Sequence, residues 1–350
     1  MHPALLSKVA AIAAVAVAAS ALPSPAAQRK TTFQQNYHAS ALMQQSYAVR
    51  LFASGNARES KPDAIVVTKS GVYIAYQNLT LPDGSDGGNS TIVQYRRDGT
   101  RVGSIELKGH CDGLRLNPYS GVLWAPVNND ANPALYTFET NLKGVKRYAF
   151  SAAPHGGGFD DLAFVDGKAF ISASNPTLNG AGASTVPAVD SVTLSGTTAI
   201  ITPVLAGNAT AIDAITGAPV TLNEVDPDSM SVDPQGEVEL VNQAGSELVF
   251  IGHPGTAAQT VRRLIVGTQL EDTIWASKKA GYLFVVDSKQ NATYVVRADA
   301  FVPGTTYTIA PSDSGVASFL GTVDLTTGII TPVLLGFTSP TGLLFVPDEH

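Results

Sequence analysis

The chain carries 22 Lys and Arg against 29 Asp and Glu over 350 residues, a net charge of −7, and a single cysteine, Cys111. One cysteine excludes an internal disulfide framework. The basic residues are scattered, with Arg96-Arg97 and Arg262-Arg263 the only arginine pairs, which excludes the basic stripe of a nucleic-acid-binding surface.

At the start, Lys8 precedes an apolar run from Val9 to Ala19, followed by the small-residue stretches Ala19-Ser20-Ala21 and Pro25-Ala26-Ala27. A basic start, a short apolar core and small residues at a cleavage site describe a secretory signal peptide. The run is shorter than the roughly 20 apolar residues that span a bilayer. Residues 1–27 are therefore expected to be a signal peptide, cleaved after Ala21 or Ala27, and residues 28–45 a lead-in. A secreted or periplasmic protein with no transmembrane segment after cleavage follows.

Beyond the lead-in, one pattern returns six times: a polar residue just ahead of a short apolar run. Its aligned positions are Asp63, Asp112, Asp161, Asp228, Asp272 and, with the acid missing, Thr341. A unit of roughly 45–70 residues that cannot bury its own apolar face implies a stacked array. In each of the first five units a turn leads to a second β-rich run: Val72–Tyr76, Val122–Val127, Ala169–Ala173, Val238–Val241 and Tyr282–Val286. Further strands are predicted at Ile92–Tyr95 with Val102–Leu107, Leu135–Phe138 with Val145–Phe150, and Leu248–Ile251 with Val261–Val266. Turn residues such as Asp98-Gly99, Asp166-Gly167 and Ser195-Gly196 separate them.

Four strands per unit is a propeller blade. The expected fold is all-β, a six-bladed β-propeller over residues 46–350. Thr341 leaves room for one strand before the chain stops, so Ala48–Ala53 is predicted to complete that blade as its outermost strand. Thr198–Gly207 is echoed by Thr327–Gly336, and Asp213–Gly217 by Asp324–Gly328, which marks an extra hairpin near Asn208–Asn223. Counting that hairpin as part of a blade gives seven blades as the alternative.

In such a ring the strand starts lie on one rim, with the ends of the second strands: Asn78, Asn128, Asn175, Asn242 and Asp287. Asp63, Asp112, Asp161, Asp228 and Asp272, with Asn128, Asn175 and Asn242, form the candidate ligand-binding rim. Crowded acids offer hard oxygen ligands: Glu224, Asp226, Asp228, Glu271, Asp272 and Asp287 are the metal candidates. His110 and His155, each just ahead of a strand start, are the candidate catalytic bases. Against all of these stands the bland alternative, that an Asp repeated in every unit serves every unit by accepting turn N–H groups. Cys111 reads as a small buried residue. No Gly-x-Ser-x-Gly elbow or phosphate-cradling loop occurs.

The alternation of Pro62-Asp63-Ala64-Ile65 or Asp112-Gly113-Leu114 with a later Tyr73-Ile74-Ala75-Tyr76 or Leu283-Phe284-Val285-Val286 resembles six-bladed propellers of the NHL and gluconolactonase-like superfamily, from about Ser46 onward. That resemblance implies calcium-dependent lactonases, lyases or non-catalytic binding proteins. The lactonase branch holds its metal with a Glu-Gly-Pro start and an Asn-Gly start. Here the corresponding positions are Lys61-Pro62-Asp63 and Thr341-Gly342, so no catalytic residue carries over. The expectation is a monomeric propeller binding a small molecule or protein on its polar rim. The alternative is a lactonase-like hydrolase or lyase assisted by a divalent cation such as calcium, with its site at the channel mouth.

Overall fold

The computed structural model describes residues 46–312 and 315–348. The expected signal peptide (1–27) and lead-in (28–45) lie outside the described residues. Every regular element among the described residues is a strand.

The chain opens with β1 (Tyr47–Ser54), followed by β2 (Pro62–Thr68), β3 (Gly71–Tyr76), β4 (Asn89–Tyr95) and β5 (Arg101–Lys108). Next come β6 (Arg115–Leu116), β7 (Val122–Val127), β8 (Ala134–Glu139) and β9 (Lys146–Phe150), then β10 (Leu162–Val165), β11 (Lys168–Ser172), β12 (Pro187–Ser195) and β13 (Thr198–Ala206). A hairpin, β14 (Thr210–Asp213) and β15 (Pro219–Thr221), precedes β16 (Pro227–Val232), β17 (Val238–Asn242), β18 (Glu247–Gly252) and β19 (Thr260–Ile265). The last group is β20 (Thr273–Trp275), β21 (Gly281–Asp287), β22 (Ala292–Ala298), β23 (Thr306–Ala310), β24 (Phe319–Val323), β25 (Ile330–Leu335) and β26 (Pro340–Pro347).

Strands β2–β5 form one antiparallel meander. Two further meanders, β6–β9 and β10–β13, are merged into an eight-stranded sheet by a two-residue parallel contact between β9 and β13. The hairpin β14–β15 is likewise joined in parallel to β19, extending β16–β19 to six strands. The sequence pattern predicts separate four-stranded units. The structure departs from that because the exposed edges at β9 and β19 find partners, which covers otherwise open backbone.

Local chemistry explains the turns. Asp166 and Gly167 between β10 and β11 both have positive φ, 50° and 77°, which is the two-residue connection that matches the twist of a hairpin. The echoed Asp213 and Asp324 segments fold alike. Each aspartate accepts the N–H of the threonine two or three residues on (Thr216, Thr326), and each turn ends on a glycine at φ 70°.

The final two sheets contain a correction. The expected fifth unit places Tyr282–Val286 beside the strand that starts at Asp272. Instead β20 pairs with β23, giving the sheet β20-β23-β24-β25. The hairpin β21–β22 inserts into the last sheet, β1-β22-β21-β26, in which β1 pairs with β22 and β26 with β21. The crossing is stitched by Phe301 N–H to Lys279 O (2.8 Å) and Gly304 N–H to Ala276 O (2.8 Å). Phe301 packs edge-on against both Tyr307 and Phe345, at 5.7 and 5.1 Å between centroids.

The core lies between sheets. Tyr73, Leu123 and Phe138 fill the space between the first two meanders, Leu135, Phe159 and Ile171 the next. Phe170 and Leu240 fill the third, Phe250 and Trp275 the fourth, Leu283 and Tyr307 the fifth. A further cluster joins Phe284 and Phe52 of the last sheet to Tyr76 and Ile74 of the first. The second strands β3 and β17 are buried along their whole length because both their faces meet a neighbouring sheet.

Closure between last and first sheets requires close backbone approach. A Cβ on Gly342 would run into the carbonyl oxygen of Asp63 and crowd Val286. Gly342→Ala is therefore expected to destabilise the protein by about 1–3 kcal/mol, the usual cost of overpacking. Urea unfolding should show a lower midpoint with an unchanged slope.

Candidate functional site

The six strand starts converge. Asp63, Asp112, Asp161, Asp228, Asp272 and Thr341 all line one cavity of about 220 Å³. Asp226 and Glu271 line it as well, as do two acids and one cation not singled out from the sequence pattern: Asp130, Asp160 and Arg115. In all, nine carboxylates and one guanidinium face the same space.

The repeated aspartates do not turn back onto their own turns, as the bland reading expects. Asp161 accepts the N–H of Met230 (3.0 Å), and Asp272 accepts the N–H of Leu343 (2.7 Å). Each acceptor thus clips a strand of a different sheet. Arg115 donates to Asp161 and to the carbonyl of Met230, and lies 3.6 Å from Asp272. Asp112 receives the side-chain amide of Gln77 and sits 3.1 Å from Nε2 of His110.

Crowding like charges in a confined space raises carboxyl pKa values. Burial lifts Asp63 well above the ordinary carboxylate range, with added repulsion from Asp112, Glu271, Asp160 and Asp272. Burial likewise lifts Asp228, helped by Asp160, Glu271 and Asp226. Asp160 is raised by burial and by Asp112 and Asp161, while a hydrogen bond with Asp228 opposes the rise. Burial takes Asp272 to about 6 even though the Arg115 guanidinium pulls it down. Asp226 and Asp130 also move up, both chiefly through burial.

The expected amides fall elsewhere. Asn78, Asn128 and Asn242 accept the N–H of Ser60, His110 and Asp226, each just ahead of a strand start, at 3.0, 2.9 and 3.2 Å. Asp287 does the same for Ser339 (3.2 Å), two residues ahead of Thr341. These side chains are clips that fix each second strand to its neighbouring start, and they do not line the cavity. The Asp287 clip restates the β21–β26 pairing in side-chain terms. Asn175 departs from the rule and donates to Asp130 O (3.2 Å), which holds an acid of the cavity wall from behind.

The remaining candidates separate likewise. His110 stands behind Asp112, its Nδ1 at 2.8 Å from Thr80 O. Burial opposes its charged form, but the Asp112 carboxylate, the Thr80 carbonyl and Asp130 together outweigh that and the imidazole pKa is raised. His155 is fully buried away from the cavity. Its Nε2 donates to Gly158 O (2.6 Å), its ring packs edge-on against Phe159, and burial lowers its pKa. Glu224 is also fully buried outside the cavity, raised by burial and by Glu247. Cys111 is a buried thiol pushed up by burial and then by Asp112, the state of an inert core residue.

The residues missed by sequence reading are Arg115, Asp130 and Asp160. Asp160 was legible as half of the Asp160-Asp161 doublet, and Arg115 as the one cation three residues beyond a repeated aspartate. Calcium, which the family resemblance implies, does not fit the donors present. Among the described residues no group of three or more His, Cys, Asp or Glu side chains is disposed to hold a metal ion. The acids come from separate strand starts, and the lactonase-type glutamate and asparagine are absent from Lys61-Pro62-Asp63 and Thr341-Gly342.

No family model matches the chain, and no curated protein matches it by sequence. Among solved structures it is similar to a protein of unknown function from Bacteroides caccae, at 9% identity over 82% of this chain and 87% of that one, TM-score 0.49. It is also similar to the periplasmic gluconolactonase of Pseudomonas aeruginosa, at 11% identity over 86% and 99%, TM-score 0.49. A third likeness is to virginiamycin B lyase from Staphylococcus aureus, at 12% identity over 86% and 96%, TM-score 0.48. At such identity and superposition these likenesses carry nothing about activity. No helix among the described residues is long and apolar enough to cross a membrane.

Two outcomes follow from the charges. Arg115→Met removes the cation between Asp161 and Asp272 and is expected to cost about 3–5 kcal/mol at neutral pH, as when one partner of a buried ion pair is deleted. Equilibrium unfolding measures that loss. The pH dependence has the opposite sign to common acid denaturation. Carboxyls with raised pKa bind protons more tightly folded than unfolded, so their contribution is present below about pH 4 and lost as pH rises through the folded values. For Asp272 that window closes at about 6. The melting temperature is expected to fall between pH 5 and pH 7.5, and Asp228→Asn to flatten the fall; a calorimetric scan that rises over this range would contradict it.

Proposed function

We propose that this chain is an exported six-bladed β-propeller, with blades of four strands and a last blade that takes β1 and β26 as its two edges, that binds a small organic cation at the acidic mouth of its central channel. The binding is non-catalytic. Support for the ring comes from the succession of apolar clusters, each shared by two consecutive groups of strands, with the last returning to the first. Residues 1–27 support the export.

The observation that carries the binding role is the imbalance in the cavity: nine carboxylates against one guanidinium. The buried acceptors Asp161 Oδ1, Asp112 Oδ2 and Asn129 Oδ1 have no hydrogen-bond donor. An unpaired buried acceptor costs roughly 1–3 kcal/mol, which a ligand that donates would recover. An ammonium group brings three N–H donors with a positive charge. The cavity equals the liquid volume of about seven waters, room for a small amine. Spread-out carboxylates suit a cation with several separated donors better than a compact ion needing convergent oxygens.

Thermal stability of the mature protein at fixed ionic strength tests the reading, because a ligand bound to the native state alone raises the melting temperature with concentration. Putrescine is expected to raise it, 1,4-butanediol to leave it unchanged, and the putrescine shift to shrink in Asp63→Asn. A shift with calcium alone and none with the diamine would overturn the proposal in favour of a metal-assisted site.

A further inference from the structure

A second concave site lies at the opposite strand ends. It is a groove of about 620 Å³ bounded by Arg50 of β1, Lys69 of the β2–β3 turn, Arg97 beyond β4, Arg297 of β22 and Tyr282 near the start of β21. Asp63 begins β2 on the acidic mouth, whereas Lys69 follows the end of that same strand, so the two sites face opposite ways along it. Four cations meet here in a chain of net charge −7.

The groove is organised rather than a chance gathering of surface charge. Tyr282 holds two guanidinium groups at once. Its hydroxyl accepts from Nη1 of Arg97 (3.2 Å), and its ring lies under Arg297 with 4.7 Å between guanidinium carbon and centroid. Arg97 is fixed a second time by Nη2 donating to Thr68 O (3.1 Å). Stacking and a fixed fork lower the entropy lost when arginine binds an anion. Asp348 is the one acid in the wall; it meets Arg297 at 3.2 Å, with both side chains largely open to solvent. An exposed pair of this kind contributes little and yields readily to a better anion. Arg50 and Lys69 form no ion pair with any acid among the described residues.

We propose that this groove binds a small ligand carrying two or more oxyanion groups. Carboxylate, phosphate and sulfonate groups share the chemistry that the two ordered guanidinium forks and two further cations recognise. The site is independent of the acidic mouth and needs no part of the cation-binding reading.

Isothermal titration of the mature protein with citrate, inorganic pyrophosphate and 1,3-benzenedisulfonate tests it, with acetate as the single-charge control. At least one multivalent anion is expected to bind saturably, at least tenfold more tightly than acetate, and more weakly as salt is raised. The tightest of the three identifies the oxyanion. Arg50→Ala with Lys69→Ala, two exposed positions whose loss leaves the core intact, should weaken binding about tenfold at an unchanged melting temperature. Tyr282→Phe, which keeps the ring but frees Arg97, should weaken it about threefold. No saturable binding by any of the three anions, or binding unchanged in the Arg50/Lys69 double variant, overturns the proposal. The putrescine shift should persist in that double variant, so the two readings fail separately.

Discussion

A sheet with two apolar faces has no stable existence unless something covers both, and that requirement organises this molecule. β3 and β17 are buried end to end and β21 at every position but Tyr282, so every sheet needs a neighbour on each side. The chain meets it by returning: β1 pairs with β22 while β26 pairs with β21, so residues from both ends of the described chain share one sheet. Phe52 of β1 then packs against Phe284 and Tyr95, carrying the core across the seam. Gly342 is the local consequence, because only a residue without a side chain lets β26 come this close to Asp63.

Packing the last sheet against the first brings the six strand starts to one place, and their aspartates with them. Repulsion among those acids opposes the closure that hydrophobic burial drives. The structure answers in two ways. Asp161 and Asp272 spend an oxygen on backbone N–H groups of a neighbouring strand, turning a repulsive feature into a tie between sheets. Arg115 neutralises part of what remains, and raised pKa values let other carboxyls keep protons instead of charge. The acids left over face the same cavity and leave it an excess of carboxyl groups over cations.

Much of this was legible in the residues. The all-β character, the register of the five aspartates and the use of Ala48–Ala53 as an outer strand all follow from local alternation and turn chemistry, which act over a few residues. What escaped depends on non-local packing. Tyr282–Val286 carries the same pattern as the other second strands, and nothing in its own residues says that its partner starts at Thr341 and not at Asp272. The β21–β26 pairing and the Ser339 N–H donated to Asp287 mark it, a contact that spans 52 residues of chain. The asparagines at the ends of second strands were readable as a set but not in role, since a polar side chain on a rim serves a ligand or a neighbouring N–H equally well until its partner is known. Arg115 escaped because one cation among scattered basic residues has no pattern; its meaning comes from the acids the fold gathers around it.

Acidic mouth and basic groove stand at opposite ends of the same strands, and that arrangement has an electrostatic consequence beyond either site. A charge distribution separated along the strand direction gives the molecule a field with two signs, so cations are drawn to one face and anions to the other. Net charge alone would predict attraction of cations everywhere on this acidic chain. The groove reverses that locally, because Arg50 and Arg297 of the last sheet meet Lys69 and Arg97 of the first where the two sheets come together. The packing that gathers the aspartates from six strand starts thus also gathers the cations, at the seam between the last sheet and the first.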